Sequence, residues 1–422
     1  MKILFTFENP LPSAEADAEV FVTTARHLAG CTSQCWLHVP VRDEANGRTA
    51  AALAGMPVVR AWAPLALAAL RHFLCGLTLV FRREFRAADL IYTRNLWVAA
   101  LALLAGQRVV FDHYRPWPAQ IPPLGRWIYR LMCHRRLLAN ISHSEFTRAR
   151  YLDLGVPPEK LFCVRNGFDP QRVGSPIPAE IAKRSLGIEA ARKTVVYTGR
   201  VNHKKGLELV IEAARRLPDH LFILVGSQGD GPIEAAARAV SNVRLVPWQP
   251  PEALAPYLFA ADVLLIPPSL KPLAEFGTTV IPLKLYLYMA SGRPILAGES
   301  PDLLEVLEHG RNALLCRPDC IESLVGGIST LTGDAHLARQ LASAALADSR
   351  SYTWESRVRK IAAIVRGRLD SAATERGAWS VQQSRAWLRQ SRRWAMHLVR
   401  RRSWVLPEYV PETGKGGRGP SQ

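Results

Sequence analysis

The sequence predicts an α/β protein of two doubly wound halves, each built on a parallel sheet. Two observations carry this. Short β-rich runs alternate with segments of helical periodicity, and the alternation starts again after residue 190. Between the two series lies Phe168 to Pro178, Pro-rich with Gly174 and Ser175 at its centre, a composition suited to a link between domains.

In the first series Ile3 to Phe7 reads as a buried strand, and Val20 to Leu28 as a helix with Val20, Thr23, Thr24, His27 and Leu28 on one face. Ala88 to Thr93 and Val109 to Phe111 read as further strands, with a helix from Leu96 to Leu104 between them. In the second series the strands are Thr194 to Tyr197, Leu221 to Val225, Val243 to Val246 and Val263 to Ile266, with a helix over Leu207 to Leu217. Strands separated by helices require right-handed crossovers, hence parallel sheets. Two such halves leave a cleft, and ligands of these sheets bind beyond the strand carboxyl ends.

A hydrophobic fraction of 48% with 21% charged residues excludes a disordered chain, and 422 residues suffice for two or three buried cores. The net charge of +18, from 54 basic and 36 acidic residues, favours anionic partners without choosing among nucleic acid, lipid and phosphate-bearing substrates. Seven cysteines with no two-residue gap read as ordinary thiols in a reducing compartment. The N-terminal apolar run is broken by Pro10 and Pro12 too early for a signal peptide. Leu65 to Phe81 is apolar but interrupted by Arg71 and His72, so a membrane span is rejected and a surface contact is left open. From Trp379 to Trp404 tryptophans and arginines alternate, and after Pro407 the tail is rich in Gly and Pro. The Trp/Arg stretch has three readings: an interfacial helix on anionic lipid, a single-strand nucleic-acid binder, or a solvated extension.

Chemistry concentrates in the turn Gly199-Arg200-Val201-Asn202-His203-Lys204-Lys205-Gly206. Gly199 lets the backbone approach a ligand, and Arg200 and Lys205 flank a helix start whose free N–H groups favour a pyrophosphate. A solvated basic turn is the plainer reading. A second turn, Gly226 to Pro232, holds Gly229 and Gly231 but lacks the Lys-Ser/Thr ending of a phosphate loop.

The ordered set Gly199-Arg200 with Lys205-Gly206, Gly229-Asp230-Gly231-Pro232, Ala261-Asp262-Val263 with Pro267-Pro268-Ser269, and Met289-Ala290-Ser291-Gly292-Arg293-Pro294 resembles glycosyltransferase family 4. Ser144-Glu145-Phe146-Thr147, Leu154 to Lys160 and Asn166-Gly167-Phe168-Asp169 resemble its motifs nearer the linker, and the likeness runs from residue 1 to about 370. The resemblance implies a GT-B fold of two Rossmann-like domains. It implies a retaining sugar transfer from a nucleotide-sugar, with no metal and no cofactor besides that substrate. Arg200 and Lys205 would then neutralise the departing phosphate, and His113, in Val110-Phe111-Asp112-His113-Tyr114, would hydrogen-bond the donor sugar. A strand-end histidine satisfied by a neighbour is the plainer reading of His113, and Arg94 is a similar strand-end candidate. Donor contacts are carried over to Gly199, Gly229, Gly231, Glu275, Gly277, Thr278, Thr279 and Lys284.

The chain departs from the family at three places. The family's paired glutamates would fall on Thr279 and Leu287, and its glycine pair near residues 14 to 16 is replaced by Ala14-Glu15-Ala16, which sets an acid against a pyrophosphate. The implied layout is an acceptor domain over 1–170, a nucleotide-sugar domain over 171–350, a helix crossing back over 351–370 and a basic tail over 371–422. The expected function is sugar transfer to a carbohydrate or lipid-linked acceptor, in the cytoplasm at the inner face of the membrane, with the tail on anionic lipid and no nucleic acid bound. The alternative is a catalytically weakened paralogue that binds a sugar or a partner. A nucleotide-sugar isomerase on the same fold would need a carboxylate pair that the sequence does not offer.

Overall fold

A computed structural model of the chain describes residues 1–13, 15–61, 68–276 and 280–374. Ala14, Gly277, Thr278, Thr279 and the Trp/Arg tail lie outside the described residues. Contacts gather Met1–Ala373 into one compact unit.

Within Met1–Ala373 two parallel sheets form. The first joins β1 (Lys2–Thr6), β2 (Gln34–Pro40), β3 (Val58–Ala61), β4 (Leu90–Thr93), β5 (Val109–His113), β6 (Leu137–Ser142) and β7 (Leu161–Cys163) in the order β3-β2-β1-β4-β5-β6-β7. The second joins β8 (Lys193–Thr198), β9 (His220–Ser227), β10 (Val243–Pro247), β11 (Val263–Ile266), β12 (Ile295–Gly298) and β13 (Leu314–Cys316) in the order β10-β9-β8-β11-β12-β13. Strands such as β11 and β12 are buried on both faces because helices cover both sides, which is why they read as unbroken apolar runs. In each sheet the strand order reverses once, between β1 and β4 and between β8 and β11. Crossovers leave opposite faces at those points and open a crevice at the strand carboxyl ends. Glu8 and Arg94 follow β1 and β4, and Gly199 and Pro267 follow β8 and β11.

The stretch expected to link the halves is partly ordered: Pro170–Val173 forms a helical turn capped by Asp169, and Phe168 pairs with Thr353. The chain thus crosses between the sheets twice, side by side. The helix Trp354–Thr374 then sends Val358, Ile361, Ala362 and Val365 into the core of the first sheet with Phe5 and Tyr92. Arg357 on that helix is fully buried and donates to Asp112 Oδ2 at 2.6 Å. Asp112 also accepts from Tyr92 Oη at 2.6 Å and His143 Nε2 at 2.9 Å, and Asn166 donates to His143 Nδ1 at 3.1 Å.

Burial holds three histidines neutral, lowering His38 to about 3, His113 to about 4 and His143 to about 3. Each gains its proton only on unfolding, so their contribution to stability falls as pH drops below the ordinary value of 6.5. Glu8 works the other way. Burial, then Asp17, raises its carboxyl to about 7, so it favours folding as pH falls from 7 to 4.5. Three groups oppose one, and thermal melts are expected to show a midpoint that drops from pH 7 to pH 4.5. A midpoint that is flat or rises toward acid contradicts the neutral histidines.

Candidate active site

The basic turn is built where β8 ends. Gly199 adopts φ +131°, and a Cβ there would lie 2.8 Å from Lys284 Nζ, so this position requires glycine. Gly226 at the end of β9 has φ +121° and packs directly on the Gly199 carbonyl, which brings the two turns together. Asn202 accepts from Lys204 N at 3.1 Å and so caps the short helical turn His203–Lys205, ahead of the helix Leu207–Arg216. Tyr197 donates to the Arg200 carbonyl at 2.9 Å, and its ring lies 3.6 Å beneath the Lys284 ammonium.

Beside this turn lies a cavity of about 630 Å³, lined by Lys204, Lys205, Lys284, Tyr197 and, from the first half of the chain, Glu15 and Arg115. Burial, then the adjacent Arg200 and Lys204, lowers the Lys205 ammonium. Burial, then Lys205, holds Lys284 well below the usual amine range. Crowded cations in a partly dry cavity are strained against one another, and an anion placed among them relieves that strain.

Arg200 meets Glu15 Oε1 at 2.6 Å, a contact that joins the two halves across 185 residues. The acid expected to oppose a pyrophosphate therefore faces the cavity but is already paired with a cation. Both side chains are exposed, so the pair is readily exchanged. Lys284 and Lys205 line the cavity, whereas Gly199 and Arg200 at the end of β8 and Gly229 and Gly231 in the turn after β9 stand outside that lining. Leu287 packs against the core of the second sheet, and Glu275 lies on the helix Lys271–Phe276.

His113 is placed elsewhere. It ends β5, donates from Nε2 to Asn140 Oδ1 at 2.8 Å and stacks on Phe111 with centroids 4.3 Å apart. It lines a second cavity of about 220 Å³ with Glu8, Asp17, Arg94, Trp97 and Trp117. Tyr114 and Arg115 border both cavities, so the two adjoin. Arg94 is 5% exposed and pairs with Asp17 at 2.7 Å, while its Nε and Nη1 make no hydrogen bond. Sequence reasoning named Arg94 and His113 but passed over Glu8 and Asp17. The signal for Glu8 was its place just beyond the first strand.

Comparison with known proteins agrees with this architecture. Residues 19–172 match the model of Glycosyltransferase Family 4, and residues 192–334 match that of Glycosyl transferases group 1. The chain is 29% identical over 202 residues to a putative colanic acid biosynthesis glycosyl transferase, WcaI, of Escherichia coli K12, covering 45% of this chain and 48% of that protein. It is 24% identical over 235 residues to the D-inositol 3-phosphate glycosyltransferase of Rhodococcus erythropolis, covering 52% of this chain and 51% of the other. The chain thus spans about half the length of the curated relatives it matches. The crystal structure of Anabaena HepE with UDP and glucose superposes with a TM-score of 0.68 at 21% identity, over 86% of this chain and 99% of that one, a likeness of fold. With two matching family models, one on each half, and the GT-B arrangement of its sheets, the chain belongs to the family 4, group 1 glycosyltransferases.

Proposed function

We propose that the chain transfers a sugar from a nucleotide-sugar to a carbohydrate or lipid-linked acceptor, with retention of configuration and without a metal, in the cytoplasm. The observation that carries this reading is the convergence of Lys204, Lys205 and Lys284 on one cavity near the carboxyl end of β8, with Arg200 beside it through its ion pair with the cavity residue Glu15. The diphosphate sits among these cations. As the glycosidic C–O bond of the donor breaks, charge grows on the departing phosphate, and the fixed cations stabilise it. The transferred sugar extends toward Tyr114, Arg115 and the cavity that holds His113. The names of the relatives, for colanic acid biosynthesis and for an inositol phosphate acceptor, support an acceptor rich in hydroxyl groups.

The test incubates the chain with UDP-, GDP- and dTDP-sugars, with and without EDTA, while nucleotide release and donor binding are followed. Release from at least one donor, unchanged by EDTA, is expected. No release together with no binding of any donor overturns the reading. It would leave the weakened paralogue, which the apolar Leu287 in place of a ribose-binding carboxylate favours.

Glu15 competes with the diphosphate for Arg200. Glu15→Gln is therefore expected to tighten donor binding by about 1 kcal/mol, roughly 5-fold, as measured by calorimetry. Weaker binding in the variant would mean that Glu15 assists the donor.

A further inference from the structure

Among the described residues, four of the exposed large hydrophobic side chains fall within one 12-residue stretch: Leu70 (42% exposed), Phe73 (39%), Leu77 (37%) and Phe81 (74%). They lie on and just beyond the helix Ala68–Val80. At about 100° per residue the four positions share an arc of roughly 80°. The opposite side of the helix carries Cys75, Gly76 and Leu79, all buried, and Gly76 sits against Val98 and Leu101 of the helix Leu96–Leu104. The helix is thus anchored by one face and presents an apolar stripe with the other.

The C-terminal end of this stripe is basic. Arg82 donates to the Arg60 carbonyl at 2.6 Å, which brings those two arginines together, and Arg83 and Arg86 are exposed on the next short helix. Against these four stands Glu84, which pairs with Arg83 at 2.9 Å and is itself only 15% exposed. An apolar stripe beside an excess of arginine matches the two layers of an anionic bilayer surface, acyl chains and headgroups. A protein partner would need a complementary acidic rim around an apolar centre. A lipid leaflet supplies both layers everywhere. No described helix is long and apolar enough to cross a membrane, so the contact is interfacial.

We infer that the exposed face of the helix Ala68–Val80, with Arg60, Arg82, Arg83 and Arg86, docks the chain on an anionic lipid surface. His72 near the start of the same helix lines the cavity that contains Arg94 and His113. Docking by this face therefore brings that cavity close to the membrane, where a lipid-linked acceptor would be met. This last step rests on the proposed sugar transfer; the docking itself does not.

The test uses the full chain and sedimentation with two kinds of vesicle, phosphatidylcholine alone and an equal mixture with phosphatidylglycerol. The parent is expected to sediment with the mixed vesicles and not with the neutral ones. The triple variant Leu70→Ser/Leu77→Ser/Phe81→Ser is expected to weaken that partition by about 10-fold or more, because three apolar side chains no longer leave water. All three positions are exposed, so its circular dichroism and melting point should match the parent, and Arg83→Glu/Arg86→Glu gives an independent loss without touching the stripe. Failure of the parent to sediment overturns the inference. So does undiminished sedimentation of the triple variant, which would assign binding to another region of the chain. A parent dimer that the triple variant dissociates, with no vesicle binding, would give the face to a second copy. Nucleotide release from soluble donors, measured in parallel, separates failure of docking from failure of the proposed reaction.

Discussion

Arg200→Ala is expected to lower kcat for nucleotide release about 10²- to 10³-fold, the loss typical when one preorganised donor to a developing anion is removed. A guanidinium can hold two phosphate oxygens with parallel N–H bonds, which a lysine cannot reproduce. Arg200→Lys should therefore recover some of the rate by restoring charge without the fork. The cost should appear in kcat more than in donor KM, since charge on the leaving phosphate is greatest in the transition state. Lys205 and Lys284 remain in Arg200→Ala, so some stabilisation persists and binding is not abolished. An Arg200→Ala enzyme that turns over at the parental rate would remove this residue from the reaction.

The largest effect on stability is expected at Asp112. Its two oxygens accept from Arg357, Tyr92 and His143, and all four side chains are buried. The neighbouring charges hold its carboxyl well below the usual range in spite of burial. Asp112→Ala leaves the Arg357 charge in the core with no counterion, its remaining partners being the Val164 and Arg165 carbonyls, the Thr24 hydroxyl and the His143 ring. A buried charge stripped of its counterion costs about 3–5 kcal/mol, to be read from denaturant unfolding. Asp112→Ala combined with Arg357→Ala should cost less than the sum of the two single changes, because the second removes the charge that the first exposes. Strict additivity would mean that the two residues act separately.

Much of the fold was legible because covered parallel strands are apolar throughout. Val263–Ile266 and Leu96–Leu104 begin and end where their hydrophobic runs do. β2 and β6 were harder to see. Gln34–Pro40 carries His38, and Leu137–Ser142 carries Asn140, polar residues that hydrogen-bond within the core, Thr6 Oγ1 with His38 and His113 with Asn140. Such partners are distant in sequence and leave no periodic trace. The site divides in the same way. Arg200 and Lys205 could be read from a glycine-bounded turn, a local pattern. The approach of Lys284 to Gly199, the Glu15–Arg200 pair and the knot around Asp112 join residues far apart in sequence, up to 245 positions for Asp112 and Arg357, and only the folded chain brings them together.

Glu305 of the second half accepts from the backbone N–H groups of Glu145 and Phe146 at 2.8 Å each, and from Arg165 at 3.0 Å. Those two N–H groups open the helix Glu145–Asp153 in the first half, where a helix has no partners of its own. Ser144 already accepts from Thr147 N, so Glu305 of one half completes the cap that a helix of the other half begins. Separating the halves does more than bare a pair of surfaces; it strips two N–H groups of their partner and frees a carboxylate together. The seam acts as a thermodynamic hinge pin, which couples the local order of one domain to its distance from the other.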